Sequence, residues 1–236
     1  MRVLIRLYNS LLVNIYFLNG IKKKQSSSKR TRLPITMSIL TKICKSLRMG
    51  MFSHFTNVML ETVFVVAFFG FFRCGELTVL KTFDSDINLS FEDVHIKDGN
   101  SVLILLKKFK TDPFRSGVTI HLFQTGHIIC PVSSVIRYIS LRGQFFKLPP
   151  KPFFVNELGE ALTRNYFISH LKILLDSIGV TSLRIGAATS AQEARLEDHL
   201  IKTLGRWTSD CYTRYIHTSS NVLKKAQVQI ANTYVE

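Results

Sequence analysis

Apolar residues recur three and four positions apart over residues 36–47 and again over 54–80, and this spacing predicts two helices. On the second, Met59, Val63, Val66, Phe69 and Leu77 fall on the expected inward face. Residues 63–72 are apolar throughout. Ten residues cannot cross a hydrocarbon core of about 30 Å, so the stretch predicts a buried helix rather than a membrane span. Pro34 followed by Thr36 reads as a helix start with Thr36 as the N-cap. The pattern then changes period. "LSFEDVHIKDGNSVLILLKKFKTDPFRSGVTIHLF" offers three β-rich runs broken by "DGN" and "TDPFRSG", which predict a small antiparallel meander. Pro131 opens a further helix to about Leu141, and Thr163 caps another to Ile178 with Gly179 as its stop. Helices are also expected over 183–194, 197–204, 209–216 and 220–233. The fold class predicted is mainly α with a small three-stranded antiparallel β-sheet.

The start of the chain, "MRVLIRLYNSLLVNIYFLNG", is interrupted by Arg6 and Asn14, and no small-residue cleavage site follows it. It therefore reads as an amphipathic helix rather than a secretory signal. The stretch "KKKQSSSKRTR", residues 22–32, has the composition of a flexible linker, which sets an expected boundary near residue 33. Two parts follow: an N-terminal helix and basic linker, 1–32, and a domain, 33–236.

Charge narrows the partner. Lys and Arg number 31 against 16 Asp and Glu, a formal charge of +15 on 236 residues that are 46% hydrophobic. The linker supplies six positive charges, which leaves +9 on the remaining 225 residues, so the body is basic too. A folded, basic chain of this kind points to a polyanion, with nucleic acid foremost. Cys44, Cys74, Cys130 and Cys211 show no metal-ligand spacing and no dense framework, which reads as free thiols in a reducing, intracellular compartment.

Candidate chemistry begins at "AFFGFFRCGEL", residues 67–77, where Arg73 and Glu76 follow an uncharged run three positions apart. Such a pair alone is an ordinary ion pair on one helical face. Its company gives it meaning. "SLRIGAATSA" places Arg184 among small residues near an expected helix start, and "LGRWTSDCYTRYI" follows after one short helix. Small residues around an arginine allow close backbone approach to a ligand.

The ordered set "RLPIT", "FFRCGEL", "FKTDPFRSGVTI", "SLRIGAAT" and "LGRWTSDCYTRYI" resembles the catalytic domain of the tyrosine recombinases, the phage-integrase family. It is most similar to members carried by eukaryotic Crypton- and DIRS-type transposons, over residues 33–236. The resemblance implies that Arg73 and Arg184 are the two catalytic arginines, each forking two N–H donors onto oxygens of a DNA phosphate. Glu76 would steady Arg73 without acting as a base. Lys110 corresponds to the family's hairpin lysine, the general acid for the departing 5′ oxygen, with Lys107 and Lys108 as close alternatives. Tyr215 would be the nucleophile that forms a 3′-phosphotyrosine, standing eight residues beyond Trp207 where Tyr212 stands five. Trp207 occupies the place of a histidine or tryptophan whose ring N–H donates to the phosphate. No metal and no cofactor is implied.

Two departures from the family pattern stand out. Three residues before Arg184 the family carries histidine, and here Thr181 takes that place, so general-base help from that position is gone. His217 is a candidate to compensate. The family also carries an N-terminal helical DNA clamp, of which 1–32 would be only a remnant. Three functional readings follow: a DNA-breaking and rejoining recombinase working as a multimer on double-stranded DNA, a catalytically impaired transposon-derived DNA-binding protein, and a type IB topoisomerase. Location in the nucleus is expected, with 22–32 serving as import signal, phosphate-contacting linker or plain tether. Helix 220–233 would dock on a neighbouring protomer or pack on its own domain.

Overall fold

The structure is a computed structural model that describes residues 33–107, 117–148, 150–179, 183–185 and 187–207, with backbone alone at 33, 34, 183–185 and 187–189. All of these belong to one unit, Leu33–Glu236. Strand β1, Leu33–Ile35, leads into helix α1, Met37–Arg48, across Thr36, whose Oγ accepts the Ile39 N–H at 3.5 Å. On α1 the buried residues Leu40, Ile43, Cys44 and Leu47 repeat at the helical period and turn towards helix α2, His54–Phe69. Helix α2 is apolar on every side and sits in the middle of the domain, with all but three of its 16 residues buried. Met59, Val63, Val66 and Leu77 are buried as expected, and Phe69 is half-buried.

One buried residue of α2 is charged, beside the neutral Thr56, Asn57 and Thr62. Glu61 is 2% exposed, and its two oxygens are taken by Arg48 and Arg137, each at 2.6 Å. A buried carboxylate needs such partners, because desolvation of an unpaired one would cost several kcal/mol.

The sheet is the expected meander in the order β2–β3–β4: Val94–Lys97, Ser101–Leu106 and Val118–Phe123. Asp98 and Gly99 both take left-handed backbone, which the tight "DG" turn between β2 and β3 requires. Alternate residues Val102, Ile104 and Leu106 face the core, in register with Leu122, Ile120 and Val118. Helix α4, Pro131–Phe145, packs on both this sheet and α2. Helix α5, Arg164–Ser177, is capped by Thr163 and stops at Gly179, as the sequence predicts.

Two expectations need correction. The helix expected over 54–80 ends at Phe69, and only Cys74–Leu77 returns to helix, as α3. The cause is local: the Phe72 N–H turns back to the Ala67 carbonyl and Phe71 takes φ +52°, which closes the helix end. The helix expected over 183–194 is also shorter. Leu183–Ile185 forms strand β5 in parallel register with β1, and helix α6 covers Ala187–Glu193. Here pairing with a distant strand overrides local helix preference. Helix α7 is Asp198–Leu204. The segments expected as helices over 209–216 and 220–233 lie outside the described residues.

Candidate functional site

Helices α2 and α7 end in the same way. Each closes on a glycine, Gly70 or Gly205, followed by a residue in left-handed backbone, Phe71 at +52° or Arg206 at +55°. An aromatic ring, Phe72 or Trp207, then folds back so closely that a Cβ on either glycine would fall on it. Left-handed backbone on a residue with a Cβ costs about 1–2 kcal/mol. Two such residues in facing turns need a compensating interaction.

Arg206 supplies it. Its Nη1 donates to the Gly70 carbonyl at 2.9 Å, and its Nη2 donates to the Phe71 carbonyl at 3.3 Å and to Glu76 Oε2 at 2.9 Å. The guanidinium thereby reaches the carbonyl end of α2, where helix-end oxygens lack partners and the helix dipole is negative. Phe71 answers by packing edge-to-face on Trp207, with ring centroids 6.1 Å apart, and both rings border the small core of Ala191 and Ile201.

Arg73 lies between these contacts. It is the N-cap of α3, so it precedes the helical turn instead of sharing a helix face with Glu76. Glu76 Oε2 accepts the Arg73 backbone N–H at 2.8 Å, and Oε1 accepts the Arg73 Nη1–H at 2.9 Å. One carboxylate thus serves two guanidinium groups with different exposures. The side chain of Arg206 is 10% exposed and that of Glu76 is 7% exposed, whereas that of Arg73 is 40% exposed. Burial holds the Arg206 guanidinium below its ordinary pKa, the Glu76 carboxylate opposes that shift, and the Arg73 charge adds to it. Two cations share one anion, and the cation facing solvent is Arg73. That leaves a fixed, accessible guanidinium able to meet an anionic oxygen.

The domain superimposes on solved recombinases. The XerA recombinase matches with a TM-score of 0.61 at 14% identity, over 86% of this chain and 66% of that one. The XerH site-specific recombinase, in a post-cleavage complex with its palindromic difH substrate, matches with a TM-score of 0.60 at 18% identity, over 84% of this chain and 53% of that one. The fold is that of the tyrosine recombinase catalytic domain. Neither a protein-family model nor a curated protein matches the chain.

Within this recombinase fold, Arg73, Glu76 and Trp207 are brought together through Arg206. The backbone of Arg184 lies on β5, opposite Pro34 of β1. The next residue of β1, Ile35, lines an apolar cavity of about 160 Å³ with Cys74 and Leu77 of α3, so the strand paired with the one carrying Arg184 runs beside the helix that Arg73 caps. The side chain of Arg184 lies outside the described residues. So do Lys108, Lys110, Thr181, Tyr212, Tyr215 and His217. Lys107, the other hairpin alternative, is engaged by Asp93 at 2.7 Å and by the Ser85 carbonyl at 2.7 Å.

The part played by Arg206 is not evident from "LGRW" taken alone. The repeated Gly-x-aromatic pattern, "GFF" at 70–72 and "GRW" at 205–207, was the available signal. Among the described residues no three His, Cys, Asp or Glu side chains group so as to hold a metal ion, and no helix is long and apolar enough to cross a membrane. Cys44, Cys74 and Cys130 are free thiols. Burial raises the Cys74 thiol above its ordinary value, although Thr78 and Arg164 pull it down.

Proposed function

We propose that the chain is the catalytic part of a site-specific DNA recombinase or integrase that cleaves and rejoins double-stranded DNA through a 3′-phosphotyrosine. The observation that carries the reading is Arg73, held at backbone and guanidinium by Glu76 yet open to solvent, in a recombinase fold. A cation fixed before the substrate arrives needs no reorganisation as charge develops on the phosphoryl oxygens. Arg184 contributes the second fork. The Tyr215 oxygen attacks phosphorus, its proton passes to solvent, the bond from phosphorus to the 5′ oxygen breaks, and Lys110 protonates that oxygen. Reversal by another strand's 5′ hydroxyl reseals the backbone and frees the phenol. Trp207 helps hold the phosphate. The protein acts as a multimer on DNA, in the nucleus, and derives from a Crypton- or DIRS-type transposable element.

Thr181 favours a second reading, a DNA-binding protein that has lost cleavage, because a hydroxyl cannot serve as a base at neutral pH. Nicked duplexes with randomised sequence around the nick separate the two. The full chain should become covalently joined to a subset of them, and sequencing the trapped DNA gives the target. Tyr215→Phe should abolish the adduct, and Arg73→Ala should slow its formation by about 10²–10³-fold. Salt-sensitive DNA binding with no adduct would establish the second reading instead. Relaxation of supercoiled DNA without strand exchange would point to a topoisomerase.

A further inference from the structure

We infer that Arg206 is a positioning residue that fixes the Arg73 guanidinium for reaction by closing the end of α7 onto the end of α2; this rests on the recombinase reading above. The short segment that carries Arg73 starts at Gly70 and reaches Glu76. Arg206 holds both of its ends, through the carbonyls of Gly70 and Phe71 on one side and through Glu76 Oε2 on the other. Glu76 in turn holds Arg73 at two atoms. The chain of contact from Arg206 to Arg73 therefore passes through one carboxylate and one closed turn.

Three further observations fit this role. The guanidinium of Arg206 lies over the Phe72 ring, 5.3 Å from its centroid, so its plane is fixed by a fully buried side chain. Its Nε is buried with no hydrogen-bond partner among the described residues, so within them the side chain is anchored by its two terminal nitrogens. Its own backbone is left-handed, which directs the following residue, Trp207, onto Phe71. Lysine has one nitrogen and no planar fork, and cannot span two carbonyls and a carboxylate in that arrangement. Arg206 is nine-tenths buried, so it orders the site without being the group that meets phosphate.

The test uses the full chain with Arg206→Lys and Arg206→Gln, on the nicked duplex that gives the highest adduct yield with the unaltered protein. The apparent Kd for DNA is expected to change by less than about threefold, while adduct formation at saturating DNA falls by about 10²-fold, as a misplacement near 1 Å would produce. In an Arg73→Ala background the same substitutions should cost less than about threefold, because the group they position is gone. Equal losses in both backgrounds would mean a general structural role and would overturn the inference. So would Arg206→Lys cleaving at the unaltered rate.

If the unaltered protein forms no adduct, the recombinase reading fails on its own account. Positioning is then read from amide exchange, where Arg206→Lys should speed exchange across 72–77 by about tenfold or more and leave 58–66 unchanged. Unchanged protection over 72–77 overturns the inference. Should the Arg206 variants not fold, Phe72→Leu removes the ring beneath the Arg206 guanidinium while leaving the Glu76 contacts to Arg73 in place; it must give the same split between affinity and rate, and an unchanged rate overturns the inference.

Discussion

Replacing Glu76 by Gln changes one oxygen of a buried carboxylate into a donor, and the structure dictates which contact is lost. Among the described residues Oε2 receives two donors, the Arg73 backbone N–H and Arg206 Nη2, whereas Oε1 receives one, Arg73 Nη1. The amide will keep its oxygen where two donors converge and set its NH₂ against Arg73 Nη1. The Arg73 guanidinium is therefore released while the turn keeps its backbone bond. Because Arg73 is 40% exposed, its share of the stability loss is at most about 0.5 kcal/mol. Arg206, one-tenth exposed, retains a hydrogen bond but loses its counter-charge. A buried ion pair broken outright costs about 3–5 kcal/mol, so with that bond kept the variant should lose about 2–3 kcal/mol. Urea unfolding followed by circular dichroism at pH 7 measures this directly, and double-mutant cycles apportion it. Coupling of Glu76 to Arg206 should exceed its coupling to Arg73 by at least about 1 kcal/mol. A total loss below about 0.5 kcal/mol, or stronger coupling to Arg73, would refute the argument that the buried partner dominates.

Three other outcomes are expected. Removing both arginines around Glu61 should cost about 3–5 kcal/mol in urea unfolding, and more than Glu61→Gln, because it strands a carboxylate that is 2% exposed while the arginines themselves reach water. Stability should fall above pH 9. Burial, then the Glu61 charge, pushes the Cys44 thiol up to about 12, and burial pushes the Tyr138 phenol up to about 12, so the folded chain keeps protons that the unfolded chain releases from about pH 9 and pH 10. Between pH 8 and pH 10 the thiol alone should account for about 1.4 kcal/mol, seen as a lowered melting temperature that Cys44→Ala diminishes. Gly205→Ala should displace the Trp207 ring, lowering stability by about 1–3 kcal/mol and shifting the emission of the chain's single tryptophan to the red.

The elements most legible in the sequence were those whose signal is local. Thr36 and Thr163 cap their helices as side-chain chemistry predicts, and "DGN" forms its turn because Asp98 and Gly99 accept left-handed backbone. Strand β3 was legible as a β-rich run, but its buried face of Val102, Ile104 and Leu106 was not, because Leu103 and Leu105 between them are apolar too. Legibility failed where a distant partner decides. Nothing near Leu183–Ile185 announces a strand, since the bonds that make it one come from Leu33–Ile35. The end of α2 was hidden by its own hydrophobicity: an apolar run reads as continuing helix, and Gly70 with Phe71 and Phe72 stops it through backbone bonds that periodicity does not encode. Arg73 and Glu76 were recognised as partners, but the third member of their cluster lies 130 residues beyond Glu76 in the chain.

The parallel pairing of Pro34 with Arg184 makes the opening residues of this domain part of the architecture around the second arginine. Ladders between such remote segments form only once the intervening chain has largely collapsed. A deletion that stopped short of α1 but removed Leu33–Ile35 would leave every proposed reactive side chain present and still take away the rail along which Arg184 is laid. Where the amino-terminal cut falls, to within three residues, should thus decide whether a shortened version of this protein keeps its second arginine in line.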